Sequence, residues 1–105
     1  MTTKTFAALG DPTRAAIVDR LKLGPATVTE IALPFDMSLR GVLKHVQLLQ
    51  DAGIVRTVKE GRVRHCVLQR ERIDEAGRWL HDVTAGWERR MDRMDQVLRD
   101  KETSR

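Results

Sequence analysis

The sequence of 105 residues contains little of what several protein classes depend on. It has one cysteine, Cys66, and four aromatic residues, with no Tyr. A single cysteine excludes an internal disulfide and any metal site built on a cysteine pair, and it agrees with a reducing compartment. No apolar run approaches the roughly 20 residues that a membrane-spanning helix requires. The first residues, Met1-Thr2-Thr3-Lys4-Thr5, do not lead into a signal-peptide core, so we expect a cytoplasmic protein with no membrane partner.

The sequence also lacks the motifs of common catalytic sites. There is no glycine-rich phosphate-binding loop, and the histidines His45, His65 and His81 lie in separate predicted elements with no nucleophile motif beside them. We therefore expect no enzymatic activity and no cofactor. The four aromatic residues all have plausible interior or interface places, which disfavours RNA binding, because that depends on exposed rings that stack on bases.

The composition is that of one folded domain. Hydrophobic residues make up 41% of the chain and charged residues 32%, which excludes a disordered protein. A chain of this length buries one core and leaves much apolar surface near water. We expect residues 1–105 to form a single domain, with a core over about 11–70 and a C-terminal helical segment over about 71–100.

The first half of the chain is predicted to be helical. Asp11-Pro12 and Gly24 mark the start and the end of a helix over 13–23, with Asp11 as its N-cap. A short helix with Phe6, Ala7 and Leu9 precedes it, and 28–33 fits one or two turns before Pro34.

A capped helix and a hairpin follow. Ser38 is the N-cap candidate of the next helix, whose apolar positions recur at spacings of three and four: Leu39, Val42, Leu43, Val46 and Leu49. The runs 54–59 and 63–68 are rich in β-formers and meet at Glu60-Gly61-Arg62, which predicts a β-hairpin. From 71 onward the pattern is that of one long amphipathic helix. The fold predicted is mainly α with a small β-hairpin, a winged helix-turn-helix.

Positive charge is concentrated in this middle part of the chain. Between Ser38 and Arg70 there are seven Lys and Arg residues and two acids, a surplus of five, whereas the formal net charge of the whole chain is +4. A surplus confined to one structural unit predicts a surface for a polyanion, because phosphate contacts supply most of the affinity of DNA-binding domains through counterion release.

The helix that begins at Ser38 has the features of one that enters the major groove of DNA. Such a helix needs small residues for close approach, a donor that reaches base edges, and cations for phosphate. We predict that Arg40 contacts a base, because a guanidinium binds guanine O6 and N7 together, and that Gly41 lets the backbone come near. The predicted DNA-binding residues are Ser38, Arg40, Gly41, Lys44, His45, Gln47, Lys59, Arg62 and Arg64.

Two other interpretations of the basic segment stay open. The first is a solvated basic face on an ordinary helix, which is what charge runs usually are. The second is a winged-helix module that binds a protein partner and no specific DNA sequence. The order of the elements, together with the charge surplus, favours DNA binding.

Several short motifs follow one another in order between Phe6 and about Leu68. They are Phe6-Ala7-Ala8-Leu9-Gly10-Asp11-Pro12-Thr13-Arg14, Thr29-Glu30-Ile31-Ala32, Met37-Ser38, Lys44-His45-Val46, Leu48-Leu49, Ala52-Gly53-Ile54-Val55 and Glu60-Gly61-Arg62. Together they resemble the signatures of ArsR-type (ArsR/SmtB) winged helix-turn-helix transcriptional regulators. The resemblance implies a homodimeric bacterial repressor that binds an operator in double-stranded DNA.

One position departs from the pattern of that family. A small hydroxyl residue commonly precedes the Lys-His pair, whereas this chain has Leu43. If the position faces DNA, a polar contact is missing, and if it faces inward, the leucine enlarges the core.

The last helix carries an apolar stripe that is too long for a small core to cover. Trp79 and Trp87 lie about two turns apart on one face, and aromatic burial dominates the energetics of interfaces. Closure of the monomer's own core is the alternative, which we expect for Ile73. The family resemblance implies pairing of the first and last helices. The predicted dimer-interface residues are Phe6, Leu9, Trp79, Leu80, Val83, Trp87, Met91 and Met94.

The sequence contains no clear effector site. Relatives often sense metals through cysteines before the recognition helix or through carboxylate and histidine ligands on the last helix. This chain has Thr27 and Thr29 at the first place and only His81-Asp82 at the second, so we predict no metal site. Cys66 shares a strand face with Leu68, which favours packing over reactivity. An effector of another class stays open as an unidentified partner.

Overall fold

The structure is a computed structural model that describes residues 2–103. Its elements, in chain order, are α1 (Thr2–Leu9), α2 (Pro12–Leu21), α3 (Val28–Ala32), α4 (Leu39–Asp51), β1 (Val55–Glu60), β2 (Val63–Leu68) and α5 (Arg70–Thr103). The prediction of a mainly α chain with one β-hairpin and a long C-terminal helix is confirmed.

The start of α2 is capped as the sequence predicts. One carboxylate oxygen of Asp11 accepts hydrogen bonds from the backbone N–H groups of Thr13 (2.9 Å) and Arg14 (3.1 Å), which have no partner inside the helix. The predicted end at residue 23 is wrong. The helix ends at Leu21, and Leu23 is 82% exposed, because the chain turns at Gly24, whose φ of +139° only glycine adopts readily.

The short α3 is held by reciprocal bonds at its first turn. The Thr27 hydroxyl accepts from the Glu30 N–H at 3.2 Å, and the Glu30 carboxylate accepts from the Thr27 N–H at 3.1 Å. This capping box satisfies two backbone donors and lowers the pKa of Glu30. Two bonds of this kind stabilise a helix of 5 residues that is too short to be stable alone.

One side of α4 is buried and the other is exposed. The helix begins after Ser38, whose hydroxyl accepts from the Gly41 N–H at 3.1 Å, as predicted. Val42, Val46 and Leu49 are almost completely buried. The predicted apolar stripe is wrong at two places, since Leu39 and Leu43 are 53% and 51% exposed.

The reason for this error is geometric. Leu39 and Leu43 are three residues before Val42 and Val46, and three residues on a helix of 3.6 residues per turn leave a rotation of about 60°. That rotation carries Leu43 to the edge of the side of α4 that packs against the rest of the domain, and Leu39 is in addition the first residue of the helix.

The hairpin is antiparallel, with Glu60 paired to Val63 and Val55 paired to Leu68. This register leaves Gly61 and Arg62 as a two-residue loop. Gly61 has φ +66°, the conformation that a tight hairpin turn needs at its first central position and that glycine adopts without strain.

A third short segment pairs with the outer edge of β2. The Cys66 N–H donates to the Ala26 carbonyl at 2.7 Å, and the Ala26 N–H donates to the Cys66 carbonyl at 3.1 Å. The sequence analysis did not predict this bridge. It ties the turn before α3 to the hairpin and covers part of an otherwise open strand edge.

The core lies where the helices and the base of the hairpin meet. Ile17, Ile31, Leu49 and Ile54 are each 0% exposed and come from four different segments. Ile73 of α5 packs partly buried against them, so the prediction that it joins the monomer's own core is confirmed.

The long α5 extends well beyond this core. Its 34 residues span roughly 51 Å at 1.5 Å per residue, and the described chain is 76 Å long but only 26 Å by 21 Å across. Its first turns contact α1, and the later part is exposed. Among residues 2–103, no helix has the length and apolar character needed to span a membrane.

The Asp11 cap makes stability depend on acid pH. Hydrogen bonding from the Arg14 N–H, aided by the Arg14 charge, lowers the pKa of Asp11 below its ordinary value of 3.8. The stabilisation is therefore present above pH 3.8 and is lost as pH falls through the lowered pKa. We expect urea unfolding at pH 7 to give the highest free energy of unfolding for wild type, a lower value for Asp11→Asn and the lowest for Asp11→Ala, because asparagine can still cap the helix.

The same variants contain the control. The difference in free energy of unfolding between wild type and Asp11→Asn should disappear as unfolding is measured at pH values progressively below 3.8, because the carboxylate then becomes protonated. A difference that stays constant across that range would contradict the assignment of a charge contribution to Asp11.

Candidate nucleic-acid interface

The exposed side of α4 carries polar and cationic side chains in successive turns. Arg40, Lys44 and Gln47 are exposed and lie opposite the buried Val42 and Val46. The Gln47 amide donates a hydrogen bond to the Asp51 carboxylate at 3.2 Å, which holds it along the helix surface. This side of α4 therefore presents hydrogen-bonding groups that the domain does not use for its own packing.

The first turn of α4 is more constrained than the sequence indicates. Ser38 is exposed, but its hydroxyl oxygen already accepts a hydrogen bond from the Gly41 N–H. A Cβ at Gly41 would lie 3.4 Å from the Ser38 hydroxyl and 3.6 Å from the Met37 sulfur. These are ordinary van der Waals distances, so packing beside the cap does not itself require glycine, and the predicted approach to a ligand remains the reason offered for it.

His45 is turned toward α2. Its Nδ1 lies 3.2 Å from Arg14 Nη1 and 3.9 Å from an Asp11 carboxylate oxygen, and the residue is half-buried. Arginine can only donate, so Nδ1 is the acceptor and the proton of the neutral ring is on Nε2. His45 is predicted from the sequence as a DNA contact, whereas the structure turns its Nδ1 inward toward Arg14 and Asp11.

Arg14 connects three helices through this contact. Its Nε also donates to the Ala8 carbonyl at 2.6 Å, at the end of α1, while its own backbone N–H binds the Asp11 cap. The side chain therefore ties α1 and the start of α2 to the middle of α4. Sequence reasoning recognised Arg14 only within a family motif and missed this role, because the residues in contact are far apart in the chain.

The hairpin carries an unusual charge pairing near its tip. Lys59 lies directly opposite Arg64 in the register, and Arg62 is in the loop. All three are exposed. Like charges that face each other across strands are destabilising, so this pair is better suited to a bound anion than to the free protein.

The predicted cations of α4 and the hairpin have no acidic partner among the residues that the structure describes. Within residues 2–103, no carboxylate oxygen lies within 4 Å of the charged nitrogens of Arg40, Lys44, Lys59, Arg62 or Arg64. Unpaired cations are free to neutralise the phosphates of a polyanion, which then releases its own condensed counterions.

The predicted dimer residues divide into two groups. Phe6 and Trp79 pack against each other within one protomer, with ring centroids 5.5 Å apart, and Leu9 is partly buried against the core. The others lie on the exposed part of α5, and their exposed fractions run from 43% to 63%: Leu80, Val83, Trp87, Met91 and Met94. Val97 continues the same stripe at 59% exposure, and its spacing of three from Met94 is the signal that reveals it.

The positions considered for sensing have other roles in the structure. Thr27 caps α3, His81 is exposed, and Cys66 is 1% exposed. Burial raises the pKa of the Cys66 thiol, and the prediction that this residue is packed is confirmed. In the described part of the chain, no three His, Cys, Asp or Glu side chains form a group suited to a metal ion.

Comparison with known proteins identifies the family. The helix-turn-helix domain family model matches residues 9–58, from the end of α1 into β1. The crystal structure of an ArsR family transcriptional regulator is 46% identical, with a TM-score of 0.75, over 82% of this chain and 89% of that protein. The transcriptional repressor SdpR of Bacillus subtilis is 29% identical over 75 residues, which are 71% of this chain and 83% of SdpR.

A third comparison concerns the fold alone. The homodimeric winged helix-turn-helix DNA-binding domain of Mb0332 from Mycobacterium bovis is 22% identical, with a TM-score of 0.61, over 86% of this chain and 81% of that one. The arrangement of helices and hairpin described above is thus that of a winged helix-turn-helix. This chain belongs to the ArsR family of winged helix-turn-helix transcriptional regulators.

Proposed function

We propose that the protein is a cytoplasmic homodimer that represses transcription by binding a palindromic operator in double-stranded DNA. The observation that carries this proposal is the exposed side of α4, where Arg40 and Lys44 have no acidic partner and lie opposite a fully packed face. A helix that is packed on one side and cationic on the other is suited to the major groove, which admits one α-helix.

The proposed division of labour on α4 follows from side-chain chemistry. Arg40 binds a guanine edge through two parallel hydrogen bonds, and Gln47 offers an amide to a neighbouring base. Lys44 binds phosphate as a point charge. Ser38 and Gly41 lie at the positive end of the helix dipole, where a phosphate oxygen is stabilised.

His45 acts mainly as a positioning residue in this proposal. Its Nδ1 is held by Arg14, so the angle of α4 relative to α2 is fixed before DNA arrives. Its Nε2–H remains as a donor to a backbone phosphate at the edge of the groove. Fixing the helix in advance lowers the entropy cost of binding.

The hairpin is proposed to contact the DNA backbone beside the groove. Lys59 and Arg64 face each other, and an anion near this pair relieves their repulsion. Arg62 extends from the loop at the tip. These contacts carry charge and no base-specific pattern, so they contribute affinity more than sequence preference.

Dimerisation is proposed to occur through α5, with help from α1. The core over about 11–70 binds DNA, and the helix over about 71–100 supplies the interface. Support comes from the row of half-exposed apolar side chains on α5, since a contiguous apolar surface of this kind marks an interaction site. A two-fold dimer repeats the recognition helix roughly 34 Å away, one turn of DNA, which requires a palindrome.

Repression follows from occupancy of the operator. A dimer that covers two successive major grooves competes with other proteins for the same stretch of promoter DNA. The name of the relative SdpR, a transcriptional repressor, supports this choice over activation.

Selection of bound sequences from random double-stranded DNA tests the function directly. We expect enrichment of inverted repeats whose half-sites are roughly 10 base pairs apart from centre to centre. Recovery of no enriched sequence would reject sequence-specific DNA binding, and absence of any binding to duplex at low ionic strength, where phosphate contacts are strongest, would favour a protein-binding module.

The Arg40→Ala variant should lose base discrimination. Removal of a bidentate contact to guanine should cost about 1–3 kcal/mol on the selected operator and relax preference at one position in each half-site. Competition binding with the operator and with an unrelated duplex separates a loss of base discrimination from a general loss of affinity for DNA. An equal loss on both duplexes would show that Arg40 contacts phosphate only.

Two variants serve as controls for Arg40→Ala. The Arg62→Ala change removes one charge from the hairpin, so it should weaken all sequences alike and reduce the slope of log affinity against log salt by about one unit. The Lys22→Ala change removes an equal charge, which forms an ion pair with Asp19 at 3.2 Å, and it should alter neither quantity.

Replacing Trp87 with Asp should shift the protein from dimer to monomer. Trp87 is 63% exposed in the protomer and lies on the apolar stripe of α5, and a carboxylate there is costly to bury against a partner. Light scattering at several concentrations measures the change. The control is Arg89→Asp on the opposite side of the same helix, and a dimer that persists in Trp87→Asp would exclude this stripe as the interface.

A further inference from the structure

Leu43 is an exposed apolar side chain at the edge of the polar side of α4. It lies one turn after Arg40 and one turn before Gln47, and it is 51% exposed. Leu39, one turn earlier, is 53% exposed and extends the apolar surface toward the start of the helix. The side of α4 that is proposed to enter DNA is therefore not uniformly polar.

Packing within the protomer does not account for Leu43. The buried side of α4 is filled by Val42, Val46 and Leu49, which are 0%, 1% and 0% exposed. Nor does Leu43 continue the apolar stripe of α5, which lies on a different element. Its neighbours on the exposed side are Arg40, one turn earlier, and Gln47, one turn later, so any surface that covers Leu43 must also accept the positive charge of Arg40.

Leu43 also differs from the residue that is common at this position in the family. A small hydroxyl residue is common where this chain has Leu43, and a hydroxyl can exchange hydrogen bonds with base edges or phosphate. Leucine at an exposed position exchanges none. The sequence left open whether Leu43 faces outward or into the core. Its exposure shows that the leucine does not enlarge the core and that it makes the exposed surface apolar at this position.

We propose that Leu43 recognises the 5-methyl group of a thymine in the operator, beside the base contacted by Arg40. This inference rests on the proposed DNA-binding function. The thymine methyl is the apolar group among the base-edge atoms of the major groove, whose other groups are hydrogen-bond donors and acceptors. Leu43 gains apolar contact at thymine and leaves a polar edge unsatisfied at other bases, so it both favours thymine and disfavours its competitors.

A thymine-to-deoxyuridine exchange in the selected operator tests this assignment, because it removes one methyl and keeps every hydrogen-bonding group. For wild type, we expect affinity to fall about fourfold per half-site at one thymine, the loss that follows from uncovering one methyl-sized group. The Leu43→Ala variant should bind the thymine duplex more weakly and show no further loss on the deoxyuridine duplex. The four measurements form a double-mutant cycle between the side chain and the methyl.

Leu23→Ala provides the matched control. Leu23 is 82% exposed at the end of α2, outside the proposed interface, so this variant should keep the full sensitivity to the methyl. Wild-type binding that is indifferent to deoxyuridine at every operator thymine would overturn the role of Leu43 while leaving specific DNA binding intact. Absence of preference for any duplex would overturn the proposed function itself.

Discussion

Burial of one side of α4 determines which side chains of this helix point outward. Val42, Val46 and Leu49 fill the space against the rest of the domain, and the helical repeat then directs Arg40, Lys44 and Gln47 outward. Rotation of α4 by a single position would bury a cation and expose a core residue, at a cost far larger than any one surface contact. The proposed binding surface is thus a consequence of core packing.

The orientation of α4 is held from outside the core as well. Arg14 of α2 contacts both His45 of α4 and the Ala8 carbonyl of α1, so the position of α4 is tied to two other helices. The caps at Asp11 and Ser38 fix where α2 and α4 begin. A helix fixed in this way loses little freedom when it binds, and affinity can then come from contacts with DNA.

Local signals in the sequence predicted most of the fold. Caps, glycines and apolar spacing identified the helices and the hairpin, because each signal acts within a few residues. Spacing alone did not separate Leu43 from Val46, since both fit an apolar stripe and only the neighbouring elements decide which side is covered. The Ala26–Cys66 bridge and the turn of His45 toward Arg14 join distant residues, and no single-sequence pattern contains such pairings. The residues of the binding surface itself remain predictions.

Nuclear Overhauser contacts between the protein and a selected operator duplex test the central claim most directly. The one-sided burial of α4 predicts intermolecular contacts from the side chains of Arg40, Lys44 and Gln47 to major-groove protons, and none from Val42 or Val46. Contacts confined to other surfaces of the domain, with the exposed side of α4 unaffected by DNA, would contradict it.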